Sequence, residues 1–233
     1  INIKKYNAAI DICKRGIKLY NKNSDLYNNL ALSFLMIYKA EEAGYYAEKS
    51  LSINSESAIA NYIFSTINRS QKNYQMAQKY IDKAICIDSE NARYILELAC
   101  IKRELGDSQK AYKLCLKAIE LQPNLCYGYS ILGVLQRDLG FFNDAKNSLL
   151  KALELDPNDY SFYLNLSAIY IDLGEIDNAE KIIRKSIIIN SDSAESHINL
   201  GNIFRDSGRI EQAKNAIETA IKLNPNYAIA YYA

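Results

Sequence analysis

A period of 34 residues runs through this 233-residue chain, and it limits the available folds more than any other feature of the sequence. One column of the repeat is always alanine: Ala43, Ala77, Ala111, Ala145, Ala179 and Ala213. A second column keeps to small residues: Ser50, Ala84, Ala118, Ala152, Ser186 and Ala220. Self-similarity at a period of roughly 20 to 50 residues is typical of repeat architectures, in which each unit buries its apolar face only against its neighbours.

Within one period, the spacing of residues predicts two helices and a turn. In residues 126–159, apolar and small residues recur at helical intervals over 129–139 and again over 145–153, with Gly140 between the two runs. Pro157 follows the second run, and proline ends a helix because it cannot donate the next hydrogen bond. The chain is therefore predicted to be all-α and built from antiparallel helix pairs.

The same window carries the residues of a known repeat: Tyr129, Leu132, Gly133, Gly140, Ala145, Leu149, Ala152 and Pro157. They resemble the tetratricopeptide repeat, whose pattern places an aromatic residue, Leu-Gly, Tyr, Ala, Phe and Pro within 34 residues. The resemblance covers the whole chain. It implies a right-handed α-solenoid, or superhelix, whose first helices line a concave groove.

The resemblance also sets the predicted domain organisation, a single array over residues 1–233 with no insertion between copies. The full copies are 24–57, 58–91, 92–125, 126–159, 160–193 and 194–227. A partial copy precedes them at 1–23 and another follows them at 228–233. Because terminal repeats of a solenoid need polar caps and neither end has one, we expect the native polypeptide to continue in both directions.

The turn inside each helix pair is not uniform in sequence. Gly140 is matched by Gly106, Gly174 and Gly208, but Tyr38 and Lys72 occupy this position in the first two full copies. A residue that ends a helix in the left-handed region favours glycine, and another residue there costs about 1 kcal/mol. We therefore expect the turns at Tyr38 and Lys72 to be looser or differently wound.

The composition argues against several classes of function. Twenty-eight basic and 27 acidic residues give a net charge of +1, so there is no general electrostatic case for nucleic acid or an anionic membrane. No apolar run approaches the roughly eighteen residues of a spanning helix. The five cysteines form no C-x-x-C pair, and there is a single histidine, so we predict neither a metal site nor a cofactor. Unpaired cysteines indicate a reducing, intracellular and cytoplasmic location.

The first helices are expected to present a second stripe to the groove. In the copy 126–159 this stripe is predicted to comprise Tyr127, Ser130, Val134, Arg137 and Asp138. Across the copies the lining mixes apolar and polar residues, which suits an extended peptide or the surface of another protein. It holds no nucleophile–base pair and no pair of acid–base carboxylates, so no catalytic residue is predicted.

One column next to this stripe is rich in asparagine: it reads Asn29, Ile63, Glu97, Ile131, Asn165 and Asn199. It resembles the asparagine ladder in the repeat region of O-linked N-acetylglucosamine transferase-like proteins, where amides hold the backbone of a bound chain. An amide suits that role because it has one acceptor oxygen and two donor hydrogens. Only Asn165 and Asn199 are consecutive, and the alternative is that asparagine is simply tolerated on a solvated helix face.

A charged column admits two interpretations. Arg69, Arg103, Arg137 and Arg205 share it, and Glu104, Asp138, Asp172 and Asp206 share the next one. The arginines can form a partner-binding stripe, since arginine recognises carboxylate and phosphate well. We favour ion pairing between repeats, worth at most about 1 kcal/mol per pair, because opposite charges sit side by side. The full predicted peptide-binding set is Asn29, Tyr127, Arg137, Asn165, Asn199, Asn202 and Arg205.

The leading functional hypothesis is a non-catalytic scaffold for protein–protein interaction, which binds a peptide or partner surface in the concave groove. The alternative is the substrate-recruiting arm of a larger enzyme, a glycosyltransferase or sulfotransferase, whose catalytic domain lies outside this chain. The uncapped C-terminal end and the resemblance to the transferase superhelix motivate that alternative. Both uncapped ends motivate a third hypothesis, self-association through them.

Overall fold

The structure, a computed structural model, describes residues 3–225, and within them it contains thirteen α-helices and no β-strand. The helices are α1 (Ile3–Leu19), α2 (Ser24–Met36), α3 (Ala40–Ile53), α4 (Ala58–Ser70), α5 (Tyr74–Ile87), α6 (Ala92–Glu104), α7 (Ser108–Leu121), α8 (Cys126–Asp138), α9 (Phe142–Leu155), α10 (Tyr160–Asp172), α11 (Ile176–Ile189), α12 (Ala194–Asp206) and α13 (Ile210–Leu223). The predicted all-α class is confirmed. The predicted partial copy at 228–233 lies outside the described residues.

The helices fall into two units, Ile1–Pro123 and Asn124–Ala233, which we call unit 1 and unit 2. Unit 1 contains α1 to α7 and unit 2 contains α8 to α13. Within each unit, a first helix of 13 residues alternates with a second helix of 14 residues from α2 onward. The single array over 1–233 stays a prediction.

Side chains just before several first helices cap the free N–H groups of the first turn. The Ser57 hydroxyl accepts a hydrogen bond from the backbone N–H of Ala60, and the Ser193 hydroxyl accepts one from that of Ser196. The Asp159 carboxylate accepts from the N–H of Ser161. Such caps typically contribute about 1 kcal/mol, so they help to fix where each first helix begins.

Small residues let the two helices of a pair approach closely. A Cβ atom at Gly133 would lie 2.9 Å from Cγ of Leu149 and 3.1 Å from the carbonyl oxygen of Ala145. A Cβ atom at Gly201 would lie 2.7 Å from Cγ1 of Ile217. Real Cβ contacts are not that short, so these first helices sit against their partners at a distance that only glycine allows.

The turns at Tyr38 and Lys72 are wound like the glycine turns, so the expectation that they differ is wrong. Both residues have φ of 61°, and the glycines at this position have φ between 73° and 83°. In each turn two hydrogen bonds close the helix end: Tyr38 N to Leu35 O is 3.1 Å and Lys39 N to Phe34 O is 3.0 Å. The last bond spans six residues, as in the Schellman motif. These bonds and the packing of the next helix outweigh the left-handed penalty of about 1 kcal/mol.

Candidate functional site

Four positions of each first helix form a stripe that is exposed or half-buried, except at Ile63 and Glu97, which are buried. We call it the first-helix stripe. In unit 2 it comprises Tyr127, Ile131, Val134 and Asp138 on α8; Ser161, Asn165, Ala168 and Asp172 on α10; and Glu195, Asn199, Asn202 and Asp206 on α12. Their spacing of four, three and four residues places them on one face of each helix.

The prediction that the Ser130 column faces a groove is wrong. Ser130 is 5% exposed, and Leu164 and Ile198, which share its column, are 6% and 2% exposed. A buried column of this kind is needed where consecutive first helices pack against one another, because the apolar side chains in it are removed from water. The solvent-facing stripe therefore passes through Ile131, in the asparagine column, instead of Ser130, and it keeps Tyr127, Val134 and Asp138.

The asparagines of the predicted ladder lie on the first-helix stripe, but they differ in their hydrogen bonds. Asn165 donates from Nδ2 to the hydroxyl of Ser130 at 3.3 Å, across to the preceding first helix. The side chain of Asn199 is half-buried, and it makes no hydrogen bond to any residue within 3–225. Asn29, on α2 of unit 1, is exposed. Asn199 is thus the ladder residue of unit 2 whose amide is available.

Asn202 lies one turn after Asn199 on α12 and carries the unusual polar atom of the stripe. Its residue is half-buried, and its Oδ1 atom is buried without a hydrogen-bond partner in the described part of the chain. A buried acceptor left unpaired costs roughly 1–3 kcal/mol, so such atoms are uncommon and call for a reason. Asn199 and Asn202 together place two amides on one face of α12, about 5–6 Å apart at Cβ.

The predicted site residue Tyr127 already contacts residues of the helix pair that follows it in the chain. Its phenol donates a hydrogen bond of 2.6 Å to Oδ2 of Asp159, the capping residue of α10. Burial, together with the hydrogen bond and charge of Asp159, raises the pKa of the Tyr127 phenol above its ordinary value. The ring itself is 44% exposed and packs edge-on against Phe162 at 5.4 Å between centroids. Tyr127 therefore offers a partner an aromatic face and not a free hydroxyl.

The two predicted arginines also have acidic neighbours. Arg137 pairs with Asp172 of the next first helix, through Nε to Oδ2 and through Nη2 to Oδ1 at 3.2 Å. This is the pairing between repeats that the charged column allows. Arg205 lies 3.1 Å from Asp206 on its own helix, and both residues are about half exposed. Each guanidinium therefore has an acidic neighbour, and both remain accessible to solvent.

In unit 1 one position of the first-helix stripe holds a buried carboxylate, that of Glu97, whose burial the sequence did not predict. Glu97 is 6% exposed, and the Arg69 guanidinium contacts both its carboxylate oxygens, at 2.7 and 3.1 Å. Burial alone would lower the pKa of Arg69, but the hydrogen bonds and charge of Glu97 raise it. The signal available beforehand was that Glu97 replaces the isoleucine found at this position in the copies on either side.

Metal-ligating side chains do not cluster on the stripe among the residues that the structure describes. No group of three or more His, Cys, Asp or Glu side chains lies close enough to hold a metal ion within 3–225. Burial raises the pKa of the Glu195 carboxyl on α12, which favours its neutral form more than usual. No helix among the described residues combines the length and apolarity that a membrane crossing requires.

Repeated antiparallel helix pairs, each exposing one stripe of its first helix, define a helical-repeat protein. Tetratricopeptide repeat patterns match residues 92–125, 128–159, 148–181 and 194–227, which together are more than half of the chain. The chain belongs to the tetratricopeptide repeat family. Repeats of this family are in general protein-interaction modules and are typically non-catalytic.

Solved structures share this fold at low sequence identity. The crystal structure of the APC/C hetero-tetramer Cut9–Hcn1 matches with a TM-score of 0.86 and 17% identity, over 97% of this chain and 45% of that chain. TTC0263, a thermophilic protein of the family from Thermus thermophilus, matches with a TM-score of 0.69 and 18% identity, over 76% of this chain and 96% of that chain. This chain therefore spans less than half the length of the first.

A third structure is described as having a peptide-binding site. YrrB, a protein of the family with an unusual peptide-binding site, matches with a TM-score of 0.50 and 21% identity, over 79% of this chain and 95% of that chain. At these identities the structural matches establish the fold. No curated protein sequence matches the chain significantly.

Proposed function

We propose that the first-helix stripe of unit 2 binds an extended peptide segment of a partner protein, with the amides of Asn199 and Asn202 as its anchor. The observation that carries the proposal is the buried and unpaired Oδ1 atom of Asn202 beside the available amide of Asn199. That oxygen is shielded from solvent in the free protein, so a peptide N–H would satisfy it once the Asn202 side chain turns outward. The stabilisation lost by leaving it unpaired in the free protein is then regained on binding.

The spacing of the two amides suits an extended backbone. Side chains three residues apart on a helix lie about 5–6 Å apart at Cβ. Alternate residues of an extended chain repeat at about 7 Å, and they present their N–H and C=O groups in the same direction. An amide can donate to a carbonyl and accept from an N–H, so this pair can grip a backbone with little regard to sequence.

The neighbouring side chains supply the rest of a peptide site. Ala168 on α10 and Val134 on α8 share the column of Asn202, and both are half-buried. Arg205 and Asp206 lie at the end of α12, exposed to solvent. This mixture of apolar contact and rim charge is typical of grooves that bind peptides. The peptide-binding site described for YrrB and the assembly described for Cut9–Hcn1 support a protein-interaction role for the fold.

A peptide-array measurement tests the proposal. The wild-type protein and the double variant Asn199→Ala/Asn202→Ala are applied to the same array of extended peptides, and the affinity of each positive peptide is then measured by fluorescence anisotropy. Because each lost hydrogen bond is worth about 1 kcal/mol, we expect affinity to fall by about tenfold or more. Asn165→Ala, whose amide is bonded to Ser130, is expected to have a smaller effect.

The matched control is Asn215→Ala, which removes an exposed amide from the second helix α13. It should bind every peptide as the wild type does. If the double variant keeps full affinity while its helical circular dichroism is unchanged, the assignment of the site to Asn199 and Asn202 is wrong.

The alternative, a substrate-recruiting arm of a larger glycosyltransferase or sulfotransferase, would use the same stripe to present a substrate protein. The coding sequence beyond Ala233 tests it, since such a domain must be encoded there.

The cytoplasmic location also stays a prediction, supported by the five free cysteines. Redox-state labelling in cells would test it, because a secreted protein would not keep all five thiols.

A further inference from the structure

A cleft of about 520 Å³ lies outside the first-helix stripe, lined by residues of α3, α4 and α5 in unit 1. Its lining includes Gly44 and Tyr45 on α3, Phe64 and Ile67 on α4, and Tyr80 on α5. Two carboxylates, Glu41 and Glu48, also line it on α3. The cleft shares no residue with the stripe to which the peptide proposal refers.

A missing side chain creates the cleft. The column of Gly44 otherwise reads Ile10, Gln78, Tyr112, Lys146, Glu180 and Lys214, all of them large. A Cβ atom at Gly44 would meet only Cδ1 of Ile67, at an ordinary 3.6 Å, so the backbone does not demand glycine here. Ile67 is 9% exposed, whereas Ile101 in the same column is fully buried. Gly44 thus leaves a small part of Ile67 exposed at the floor of the cleft, whereas Ile101 is covered.

The walls of the cleft are aromatic, and at Tyr45 the other repeats have a polar residue. Tyr45 is 55% exposed, and its column otherwise reads Asp11, Lys79, Lys113, Asn147, Lys181 and Asn215. Phe64 and Tyr80 stack with their ring centroids 5.2 Å apart. An exposed tyrosine beside an open apolar floor is a surface that solvation alone does not explain.

The charged residues that line the cleft are both acidic. Glu41 and Glu48 lie seven residues apart on α3, on the same face as Gly44 and Tyr45. Both are exposed, neither is in an ion pair within residues 3–225, and no lysine or arginine lines the cleft. The ring faces nearby already attract cations, since the Lys49 ammonium lies 5.5 Å from the Tyr45 centroid and the Lys83 ammonium 6.0 Å from that of Tyr80.

We propose that this cleft binds an arginine side chain, flanked by an apolar residue, from a segment of a partner protein. A guanidinium is planar, stacks on aromatic faces and pairs with carboxylates, so Tyr45 and the two glutamates together match it. The apolar stem of the arginine and its neighbour would cover Ile67 at the position that Gly44 leaves open. The interaction surface is therefore a second one, built on α3, α4 and α5 of unit 1.

The test uses four short peptides with the sequence Gly-Ser-Leu-X-Leu-Ser-Gly, in which X is arginine, lysine, citrulline or glutamate. Each is titrated to millimolar concentration into the isotope-labelled full chain, and amide chemical shifts are recorded by NMR. We expect the arginine peptide to shift resonances of residues 40–48, 64–71 and 80. The citrulline peptide, which keeps the shape without the charge, should bind about tenfold more weakly, since two surface ion pairs are lost.

Two variants separate the roles of space and charge. Gly44→Gln places in the cleft the residue found one repeat later, Gln78, and should abolish the shifts while keeping or raising the helix content. Glu41→Gln/Glu48→Gln changes only exposed side chains and should weaken arginine binding about tenfold, to the level of citrulline.

The variant Asn199→Ala/Asn202→Ala should bind the arginine peptide as the wild type does. Loss of peptide binding at the first-helix stripe would therefore not affect binding in the cleft. Equal binding of the arginine and citrulline peptides would overturn the proposal. Undiminished binding by Gly44→Gln would also overturn it. So would the absence of localised shifts with the arginine peptide.

Discussion

Arg69 on α4 holds the buried carboxylate of Glu97 on α6 through two hydrogen bonds, of 2.7 and 3.1 Å. The two residues belong to consecutive first helices, and Glu97 is only 6% exposed. A carboxylate so placed needs its partner, because an unpaired charge in the interior loses its hydration without compensation. The pair therefore fastens one repeat to the next within unit 1.

Removing one partner should be far more costly than removing both. We expect Arg69→Leu to lower the free energy of unfolding by roughly 3 kcal/mol, because it leaves Glu97 buried and unpaired. The double variant Arg69→Leu/Glu97→Ile, which restores the residues seen at Leu35 and Ile63, should recover most of that loss. Urea unfolding of the single and double variants measures both quantities.

The control for this pair is Arg137→Leu, which breaks a more exposed pair with Asp172 on unit 2. It should cost less than about 1 kcal/mol. Equal losses for Arg69→Leu and Arg137→Leu would show that the burial of Glu97 does not govern its dependence on arginine.

Glycine at either of the two non-glycine turns should stabilise the protein. Lys72 has φ of 61°, in the region that glycine alone enters without steric cost. We expect Lys72→Gly to raise the free energy of unfolding by about 0.5–1 kcal/mol, and Gly140→Ala to lower it by a similar amount. Opposite signs for these two substitutions, measured in urea, are the required outcome; a loss of stability in Lys72→Gly contradicts the conformational account.

The unpaired oxygen of Asn202 predicts a conflict between stability and binding. Asn202→Ala installs the residue that Ala168 provides one repeat earlier and removes the buried acceptor. Thermal denaturation should show unchanged stability or a gain of up to about 1 kcal/mol, while peptide affinity falls. Asn199→Ala, whose amide is not buried unpaired, should leave stability within about 0.5 kcal/mol. A large loss of stability in Asn202→Ala would assign its oxygen a structural partner instead.

Glu180 on α11 should link stability in unit 2 to pH. Its carboxylate lies 2.7 Å from Arg209 and 2.8 Å from Arg184, and both guanidinium groups stack over Phe204. Burial alone would raise the pKa of Glu180, but the hydrogen bonds of the two arginines hold it below its ordinary 4.5. The lower pKa of the folded state means that stabilisation is present above about pH 4.5 and is lost as pH falls through the folded-state pKa.

We therefore expect Glu180→Gln to be less stable than the wild type by about 0.5–1 kcal/mol at neutral pH, with the difference shrinking in acid. Urea midpoints between pH 3 and pH 7 give that difference. Glu211→Gln, an exposed position on α13, serves as the control. A difference that stays constant down to pH 3 would contradict the linkage.

One cysteine should react much faster than the others. Cys86 is exposed, whereas burial raises the pKa of the Cys100 thiol to about 11 and that of Cys115 to about 12. Because the thiolate is the reactive form, a thiol reagent at neutral pH should label Cys86 first. Cys86→Ser should remove the fast phase in a stopped-flow labelling experiment. Retention of that phase would show that another thiol is the accessible one.

The repeat period is enough to predict the helix pairs and the close packing at Gly133, because translational spacing is written directly in the residues. The orientation of each first helix is harder to predict. Ser130 lies next to Ile131, and a rotation of about 100° per residue separates a buried column from an exposed one. The partly apolar copies do not distinguish the two positions, so the sequence pattern assigns Ser130 to the exposed face where the structure has Ile131.

The candidate site is predictable in its residues but not in its bonds. Asn199 and Asn202 follow from the column pattern, yet the pairing of Asn165 with Ser130 depends on the distance between neighbouring helices, which the sequence does not state. Likewise, Glu97 reads as a break in the asparagine column, and its burial depends on a guanidinium 28 residues earlier. Long-range polar contacts of this kind are set by packing.

The main-chain closure shared by the turns at Tyr38, Lys72 and the four glycines bears on how a chain of this type can change in length. Each turn is closed by hydrogen bonds of its own backbone, so a duplicated repeat of 34 residues would form its turn without help from other repeats, and deletion of a repeat would leave the remaining turns intact. Lengthening by whole modules therefore requires no redesign at the junction beyond matching side chains, and selection can adjust the reach of the molecule in steps of one helix pair.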